Sequence, residues 1–135
     1  MSKGIEEINI EINPDVKQRL KVHAISEYPY ECCGILLGKQ TEEGDFTISD
    51  IFETENRAQE DREQREFLID PMTIYRCELS IRHRDLNIVG FYHSHPDKPA
   101  VLSIKDKEGM IPGQVYVLMS VSKRGCEDAS AFIIT

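Results

Sequence analysis

The sequence predicts a mixed α and β fold around one sheet, in a single domain over residues 1–135. Two pairs, Asn13-Pro14 and Asp70-Pro71, each place an N-cap residue and a proline before a helical apolar pattern. Short apolar or alternating runs, which are typical of strands, outnumber these helices and lie on both sides of each. A chain of 135 residues can bury one core without staples, so a sheet packed against helices is expected.

The N-terminal region contains a strand followed by the first helix. Isoleucines alternate with polar residues toward the end of 5–12, which predicts one half-buried strand. A helix start is then predicted at Asn13-Pro14-Asp15. Asn13 can cap free N–H groups, Pro14 fits the first turn, and the acidic Asp15 lies at the positive end of the helix dipole. The helix is expected to end at Pro29, and His23, near its C-terminal end, is expected to be a surface residue or to pair with the helix dipole. Its apolar face is expected to comprise Val16, Leu20, Ala24 and Tyr28, with Ile25 on the same side.

Two further strands are predicted before residue 56. The apolar run over 32–38 is nearly continuous, which favours a strand at the centre of the sheet. A turn over 41–44 leads to a strand in which the alternation slips between Ile48 and Ile51, and this slip predicts a β-bulge. The charged segment 56–66 contains no large apolar residue, which predicts an exposed loop or a frayed helical turn. A flap over the functional site is a further hypothesis for this segment.

The second half repeats the alternation of strands and helices. A short strand is predicted over 67–69, and the helix that begins at Asp70-Pro71 is expected to end near Asn87. Alternating valines over 115–121 and an apolar run over 129–134 predict the last two strands. The helix that begins at Asp70-Pro71 has two adjoining apolar stripes, and both are predicted to lie on the sheet. One comprises Ile74, Cys77 and Ile81, and the other Met72, Tyr75 and Leu79.

Composition limits the classes of partner and the compartment. The formal net charge of -8 argues against nucleic acids and anionic membranes, both of which attract basic surfaces. The N-terminus lacks an apolar segment typical of a signal peptide, and no apolar run approaches twenty residues, so a cytoplasmic location is expected. The chain has four cysteines, Cys32, Cys33, Cys77 and Cys126, which are expected to be reduced thiols in that compartment. Their spacing excludes a zinc knuckle, because no C-x2-C occurs.

The most informative stretch is GFYHSHPDKPAVLSIKD, over 90–106. An apolar run delivers His93 and His95, whose side chains point to the same face of a strand because successive side chains alternate. Pro96 ends the strand, so the histidines are expected at a strand end that loops can reach. Ser103 and Asp106 follow, and both would lie on the first turn of a short helix, from which Asp106 can reach the same ion.

This pattern has two interpretations from the residues alone. Two histidines and one carboxylate form a ligand set of catalytic zinc sites, in which the fourth position stays open for water. The S-x-x-D pair is also a capping box, which would only start a helix. The joint occurrence of H-x-H-P and S-x-x-D favours the metal site.

His93-Ser94-His95-Pro96 with Ser103 and Asp106 resembles the signature of the JAMM (JAB/MPN) zinc metallopeptidases. That family also carries an early glutamate, and its best match is Glu31 in YPYECCGILLG. The resemblance runs through Asn56, FLIDP at 67–71 and GFYHSHP, so it covers about 16–121. It implies the JAB/MPN (cytidine-deaminase-like) architecture with a mostly antiparallel sheet flanked by helices.

The resemblance also implies a set of roles. One Zn2+ per chain would be held by His93, His95 and Asp106 and would lower the pKa of a water to about 7. Glu31 would act as general base, and Ser103 would stabilise the oxyanion on the attacked carbonyl. Family members cut amide bonds next to the Gly-Gly tail of ubiquitin-like proteins, and small prokaryotic members are associated with ThiS/MoaD-like sulfur carriers. We therefore expect a tail peptidase of such a carrier, acting as a monomer or homodimer.

Three alternatives remain open from the sequence. A non-catalytic MPN-type interaction module would keep the fold without hydrolysis. A non-haem iron oxygenase also uses two histidines and a carboxylate. A cysteine hydrolase would use Cys33 activated by His93, whereas small buried cysteines are commonly core residues. Metal analysis separates the first two from the zinc enzyme, and alkylation with indifference to chelators would identify the third.

Overall fold

The computed structural model describes residues 4–56 and 69–134, with no account of the Asp128 side chain. The strands in this part of the chain are β1 (Ile5–Ile8), β2 (Glu11–Ile12), β3 (Cys33–Gln40), β4 (Phe46–Thr54), β5 (Asn87–Pro96), β6 (Val115–Ser122) and β7 (Gly125–Ile134). The helices are α1 (Pro14–Glu27), α2 (Pro71–Ser80) and α3 (Ile104–Gly109). The hypothetical flap beyond Asn56 and most of the strand predicted over 67–69 lie outside the described residues. No helix in the described ranges combines the length and the apolar composition needed to cross a membrane.

The strands form one sheet in the order β1-β7-β6-β5-β3-β4-β2. Only the β5–β6 and β2–β4 pairs of this sheet are parallel, so the expected mostly antiparallel sheet flanked by helices is confirmed. The strand that carries both histidines, β5, lies between β3 and β6 near the centre of the sheet. Neighbours on both sides hold its backbone, so the histidines come from a rigid element.

The sheet buries apolar side chains on both faces. On one face, Val16, Leu20 and Ala24 of α1 pack into a cluster that includes Leu36 and Met119. The other face carries two smaller clusters, one beneath α2 and one beside α3. Because both faces are covered, β6 is buried at Tyr116 and Leu118 as well as at its alternating valines.

Both predicted helix starts are confirmed by their caps. Asn13 Oδ1 accepts from Asp15 N at 2.9 Å, and Asp70 Oδ1 accepts from Met72 N at 2.9 Å. The predicted bulge is also present: Leu37 pairs with Asp50 and Gly38 with Ile48, so Ser49 is the extra residue. These features depend on neighbours in sequence, and the local pattern predicts them correctly.

Four expectations about helices and edges were wrong. The first strand is two strands at opposite edges, because β1 pairs with β7 whereas β2 pairs with β4. Helix α2 ends at Ser80 instead of near Asn87, and a turn follows it. Only the stripe with Cys77 faces the sheet, whereas the second stripe is 40–54% exposed: Met72, Tyr75 and Leu79. Ile25 is likewise 49% exposed, because α1 buries only the face that carries Val16, Leu20 and Ala24.

His23, expected on the surface, is buried instead. Its Nδ1 lies 2.8 Å from the hydroxyl of Tyr92, which is fully buried in β5. Gly34 leaves room for this tyrosine, because a Cβ there would lie 2.3 Å from the Tyr92 ring. Glu27 and Glu53 approach His23 Nε2 at 3.9 and 3.7 Å. Sequence periodicity did not reveal this pair, which joins α1 to the strand of the histidines.

The buried ring of His23 makes the fold sensitive to acid. Burial lowers the pKa of His23 below its ordinary 6.5, although the charges of Glu53 and Glu27 oppose the shift. A depressed folded-state pKa means that this contribution to stability is complete above about pH 6.5 and is lost as pH falls through the folded value. We expect His23→Gln to lower the free energy of unfolding at neutral pH and to flatten its decline on acidification. Denaturant unfolding of both proteins between about pH 8 and pH 5 measures this, and parallel pH profiles would contradict it.

Candidate metal centre

The two histidines of β5 lie side by side, as their spacing predicts. Both are buried, with His93 1% and His95 6% exposed. Their Nε2 atoms are 3.2 Å apart. The intervening Ser94 points to the opposite side of the strand, where its Oγ accepts from Cys32 N at 2.8 Å. The local geometry of the strand therefore brings two imidazole nitrogens to one point.

Helix α3 brings a carboxylate to the same point. Ser103 is the N-cap, its Oγ accepts from Asp106 N at 3.0 Å, and Asp106 Oδ2 accepts from Ser103 N at 2.8 Å. Asp106 Oδ1 lies 3.0 Å from His93 Nε2, and Oδ2 lies 3.0 Å from His95 Nε2. The capping box and the approach to the histidines thus coexist, because the box fixes the carboxylate that faces both rings.

Glu31 joins this cluster from the segment before β3. Cys33 pairs with His93 across the sheet, so the residue two places earlier lies beside the end of β5. Glu31 is only 2% exposed, and among the described residues no hydrogen-bond partner reaches its Oε2. Its backbone is held instead, since Asn56 Nδ2 donates to Glu31 O at 2.9 Å. A buried carboxyl oxygen without a partner is costly in a purely structural role.

The environment separates the pKa values of the two carboxyl groups. Burial raises the pKa of Glu31 to about 8, with Asp106 adding to the shift and His95 and Lys98 opposing it. Burial would also raise the pKa of Asp106, but its hydrogen bonds with His93 and His95 outweigh burial and hold that pKa well below its usual range. Asp106 is therefore ionised, whereas Glu31 can hold or release a proton near neutral pH.

The histidines are affected in opposite directions. Burial lowers the pKa of His93 more than the neighbouring Asp106 raises it. Burial also acts to lower the pKa of His95, but Asp106 and the Pro99 carbonyl raise it above the ordinary value. One ring is thus kept neutral while the other favours positive charge beside the carboxylate.

The donor set fits a small divalent metal ion. His95 Nδ1 lies 3.2 Å from Pro99 O, which can only accept, so this nitrogen carries the proton. Its Nε2 faces the ionised Asp106, and this contact requires either a second proton or a cation between the two groups. Ligands about 2.0–2.1 Å from a tetrahedral zinc are about 3.3 Å apart, close to the 3.0–3.2 Å separations found here.

Two choices of carboxylate compete for such an ion. Ligand atoms of Glu31, His93 and His95 lie within 4.8 Å of one another and could also hold a metal. Each oxygen of the Asp106 carboxylate lies 3.0 Å from one ring nitrogen, and the pKa of this group is held low. The pKa of Glu31 is instead raised, so the two carboxyl groups differ in the charge they offer to an ion.

A small cavity opens beside the cluster. Its volume is about 140 Å3, and its walls are formed by Glu31, His95 and Ser103 together with residues between Pro96 and Val101. Val101 is 63% exposed and the neighbouring Ile104 77%. The cavity beside the cluster thus has both polar and apolar walls, and the exposed Val101 forms part of them.

Comparison with known proteins identifies the family. Residues 13–132 match the profile of the family described as prokaryotic homologs of the JAB domain. The chain belongs to this family.

Relatives extend the comparison. A protein named desampylase from Haloferax volcanii is 33% identical over 102 residues, which cover 75% of this chain and 70% of that protein. A solution structure from Salinibacter ruber has a TM-score of 0.66 at 36% identity, covering 90% of this chain and 80% of that one. Another, from Desulfitobacterium hafniense, has a TM-score of 0.73 at 23% identity and covers 88% of each chain, a similarity of fold. The JAB resemblance inferred from the motif is thus confirmed.

Within this JAB domain, Cys33 is poorly suited to nucleophilic catalysis. It is fully buried, and its Sγ lies 3.3 Å from Thr54 Oγ1. Burial raises the pKa of the Cys33 thiol to about 11, with Glu31 adding to the shift. The thiolate is the reactive form, so the structure disfavours the cysteine-hydrolase alternative.

Several residues that support this JAB-domain site were missed by sequence reasoning. Ser94 ties Cys32 to β5, and the Pro99 carbonyl contacts His95. Asn56 was noted only as a match to the family, whereas it holds the carbonyl of Glu31. A polar residue next to a motif can indicate from sequence that it supports the site. Its partner could not be predicted here, because Ser94 and Asn56 contact backbone atoms 25 or more residues away.

Proposed function

We propose that this protein is a zinc-dependent peptidase or isopeptidase that hydrolyses the amide bond at the C-terminal Gly-Gly tail of a ubiquitin-like or ThiS/MoaD-like sulfur-carrier protein. One observation carries the proposal. A buried glutamate with a raised pKa lies beside two histidines and an ionised aspartate at the wall of a narrow cavity. The 33% identity to a desampylase supports a ubiquitin-like partner.

In this proposal His93, His95 and Asp106 hold the ion. Zinc bound by two histidines and a carboxylate supplies a Lewis acid that polarises a carbonyl and lowers the pKa of water to about 7. The rings of both histidines are fixed by β5, and the Asp106 carboxylate is fixed by its capping box. The protein thus provides a preformed ligand set on rigid elements.

Glu31 and Ser103 would carry the proton and the developing charge. With its pKa near 8, Glu31 can accept a proton from the attacking water and return it to the leaving amine nitrogen. The Ser103 hydroxyl accepts from Asp106 N, so its own proton is free to point at the substrate oxygen. One such donor is typically worth about 3 kcal/mol in the transition state. The cavity, of about 140 Å3, is small enough to suit a Gly-Gly tail, because glycine carries only a hydrogen atom as its side chain.

Incubation with candidate carriers tests the proposal. Ubiquitin-like and sulfur-carrier proteins with a C-terminal extension are incubated with the protein, with and without a chelator, and the products are weighed. We expect loss of the extension, abolition by the chelator and recovery on adding zinc. Carriers that bind without being cut would favour an interaction module, and intact, unbound carriers throughout would contradict the proposal.

Metal analysis of protein purified without added metal is the companion measurement. We expect about one zinc ion per chain, because three ligands with one open position are typical of catalytic zinc. Iron in its place would favour the oxygenase alternative, and zinc in a His93→Ala variant at the wild-type level would contradict the ligand assignment.

A further inference from the structure

We propose that the hydroxyl of Tyr28 holds the loop after β5 and thereby orients His95, which makes Tyr28 a positioning residue for the metal site. The inference rests on the site proposed above. The loop runs over 97–99, between His95 and Ser103, and it also lines the cavity through Lys98 and Pro99. Its conformation therefore affects both the ligand and the space for a substrate.

The loop begins with an unusual backbone conformation. Asp97 has a φ of 57°, in the left-handed region that non-glycine residues seldom adopt, although Asp and Asn tolerate it best. Such a conformation persists when surrounding contacts hold it. On one side β6 supplies them: Asp97 N donates to Val121 O at 2.7 Å, and Ser120 Oγ donates to Lys98 O at 2.5 Å.

Tyr28 holds the other side. Its hydroxyl lies 2.9 and 2.8 Å from the two carboxylate oxygens of Asp97, and it is the donor. The ring packs against the core cluster beneath α1, so the hydroxyl is presented from a fixed base. The end of α1 and the loop of the metal site are thus joined across 69 residues of sequence.

The loop transmits this restraint to His95. Pro99 O lies 3.2 Å from His95 Nδ1 and fixes which ring nitrogen carries the proton. The other nitrogen, Nε2, is then directed at Asp106 and His93. Loss of such an outer partner of a metal-binding histidine typically costs about 10–100-fold in metal affinity.

The first test compares two tyrosine variants. Tyr28→Phe removes only the hydroxyl, and Tyr30→Phe does the same at an exposed tyrosine two residues away. Zinc affinity is measured by competition with a chromophoric chelator. We expect a loss of up to about tenfold for Tyr28→Phe, the low end for loss of an outer partner because Pro99 O itself remains, and none for Tyr30→Phe; equal affinities in all three proteins would overturn the proposal.

A second pair of variants separates the hydroxyl contact from the backbone. Asp97→Asn keeps an acceptor for Tyr28 and tolerates the left-handed conformation, whereas Asp97→Gly keeps the conformation but removes the acceptor. We expect Asn to retain wild-type zinc affinity and Gly to match Tyr28→Phe. Wild-type affinity in the glycine variant would show that the backbone alone sets the site, against the proposal.

A metal-free measurement keeps the inference distinct from the proposed function. Hydrogen exchange of the Asp97 amide in zinc-free protein should be faster in Tyr28→Phe than in Tyr30→Phe, because the restraint does not need the ion. If the wild type bound no zinc, the proposed function would fail. Hydrogen exchange of the Asp97 amide would still show whether Tyr28 holds the loop. Unchanged exchange, or faster exchange with unchanged zinc affinity, would overturn the role of Tyr28.

Discussion

Replacing Glu31 by glutamine is expected to slow hydrolysis of the carrier tail by about 10²–10⁴-fold, the usual contribution of a general base, while zinc stays bound. Glutamine has the size of glutamate but cannot accept the proton. The residue is 2% exposed, and its Oε2 lacks a partner among the described residues, so the amide fits without breaking a contact of that oxygen. The measurement pairs the cleavage rate with the zinc content of each variant.

Glu55→Gln is the matched control, because Glu55 is exposed and lies in the segment next to Asn56. It should retain the wild-type rate and zinc content. Full activity of Glu31→Gln would end its assignment as the base. Loss of zinc from Glu31→Gln with zinc retained in Asp106→Asn would instead make Glu31 the carboxylate ligand, the other grouping that the geometry allows.

The largest effect on stability is expected from Gly90→Ala. A Cβ at this position would lie 1.8 Å from Val115 O and 2.6 Å from Val115 C, which are backbone atoms of the neighbouring strand. The two strands would have to separate where their pairing begins, three residues before His93. We expect the free energy of unfolding to fall by about 3 kcal/mol or more, at or above the upper end of the usual cost of overpacking.

Gly109→Ala provides the comparison for this variant. Nothing lies within 4 Å of a Cβ built there, and Gly109 is in α3, where alanine is favoured over glycine. Its unfolding midpoint in denaturant should equal or exceed that of the wild type. A Gly90→Ala midpoint as high as that of Gly109→Ala would refute the close approach of the two strands.

The features predicted correctly from the sequence are those that a few neighbouring residues decide. The caps at Asn13 and Asp70, the bulge near Ser49 and the paired orientation of His93 and His95 all follow from local backbone geometry. The position of Glu31 was reached differently, through its resemblance to a family, because 62 residues separate it from His93. No local pattern links the two.

The wrong expectations concern which side of an element meets another. Periodicity identified apolar stripes on α1 and α2, but it could not show that Ile25 and Tyr75 would face away from the sheet. His23 was assigned to the surface because its partner, Tyr92, is 69 residues further along the chain. Burial depends on how whole helices and strands pack against one another, and the spacing of residues within one helix carries no information about that packing.

The sequence by itself determined the family and the strand and helix that carry the two histidines and Asp106, since these depend on residue identity and on spacings of a few residues. Only the tertiary structure decided that Glu31 is buried beside the histidines, that Asp106 contacts both rings and that Tyr28 reaches the loop of His95. The physical reason is that strand pairing and helix packing bring together side chains from distant parts of the chain. Their pKa values and partners then follow from burial and contact distances that exist only in the folded protein.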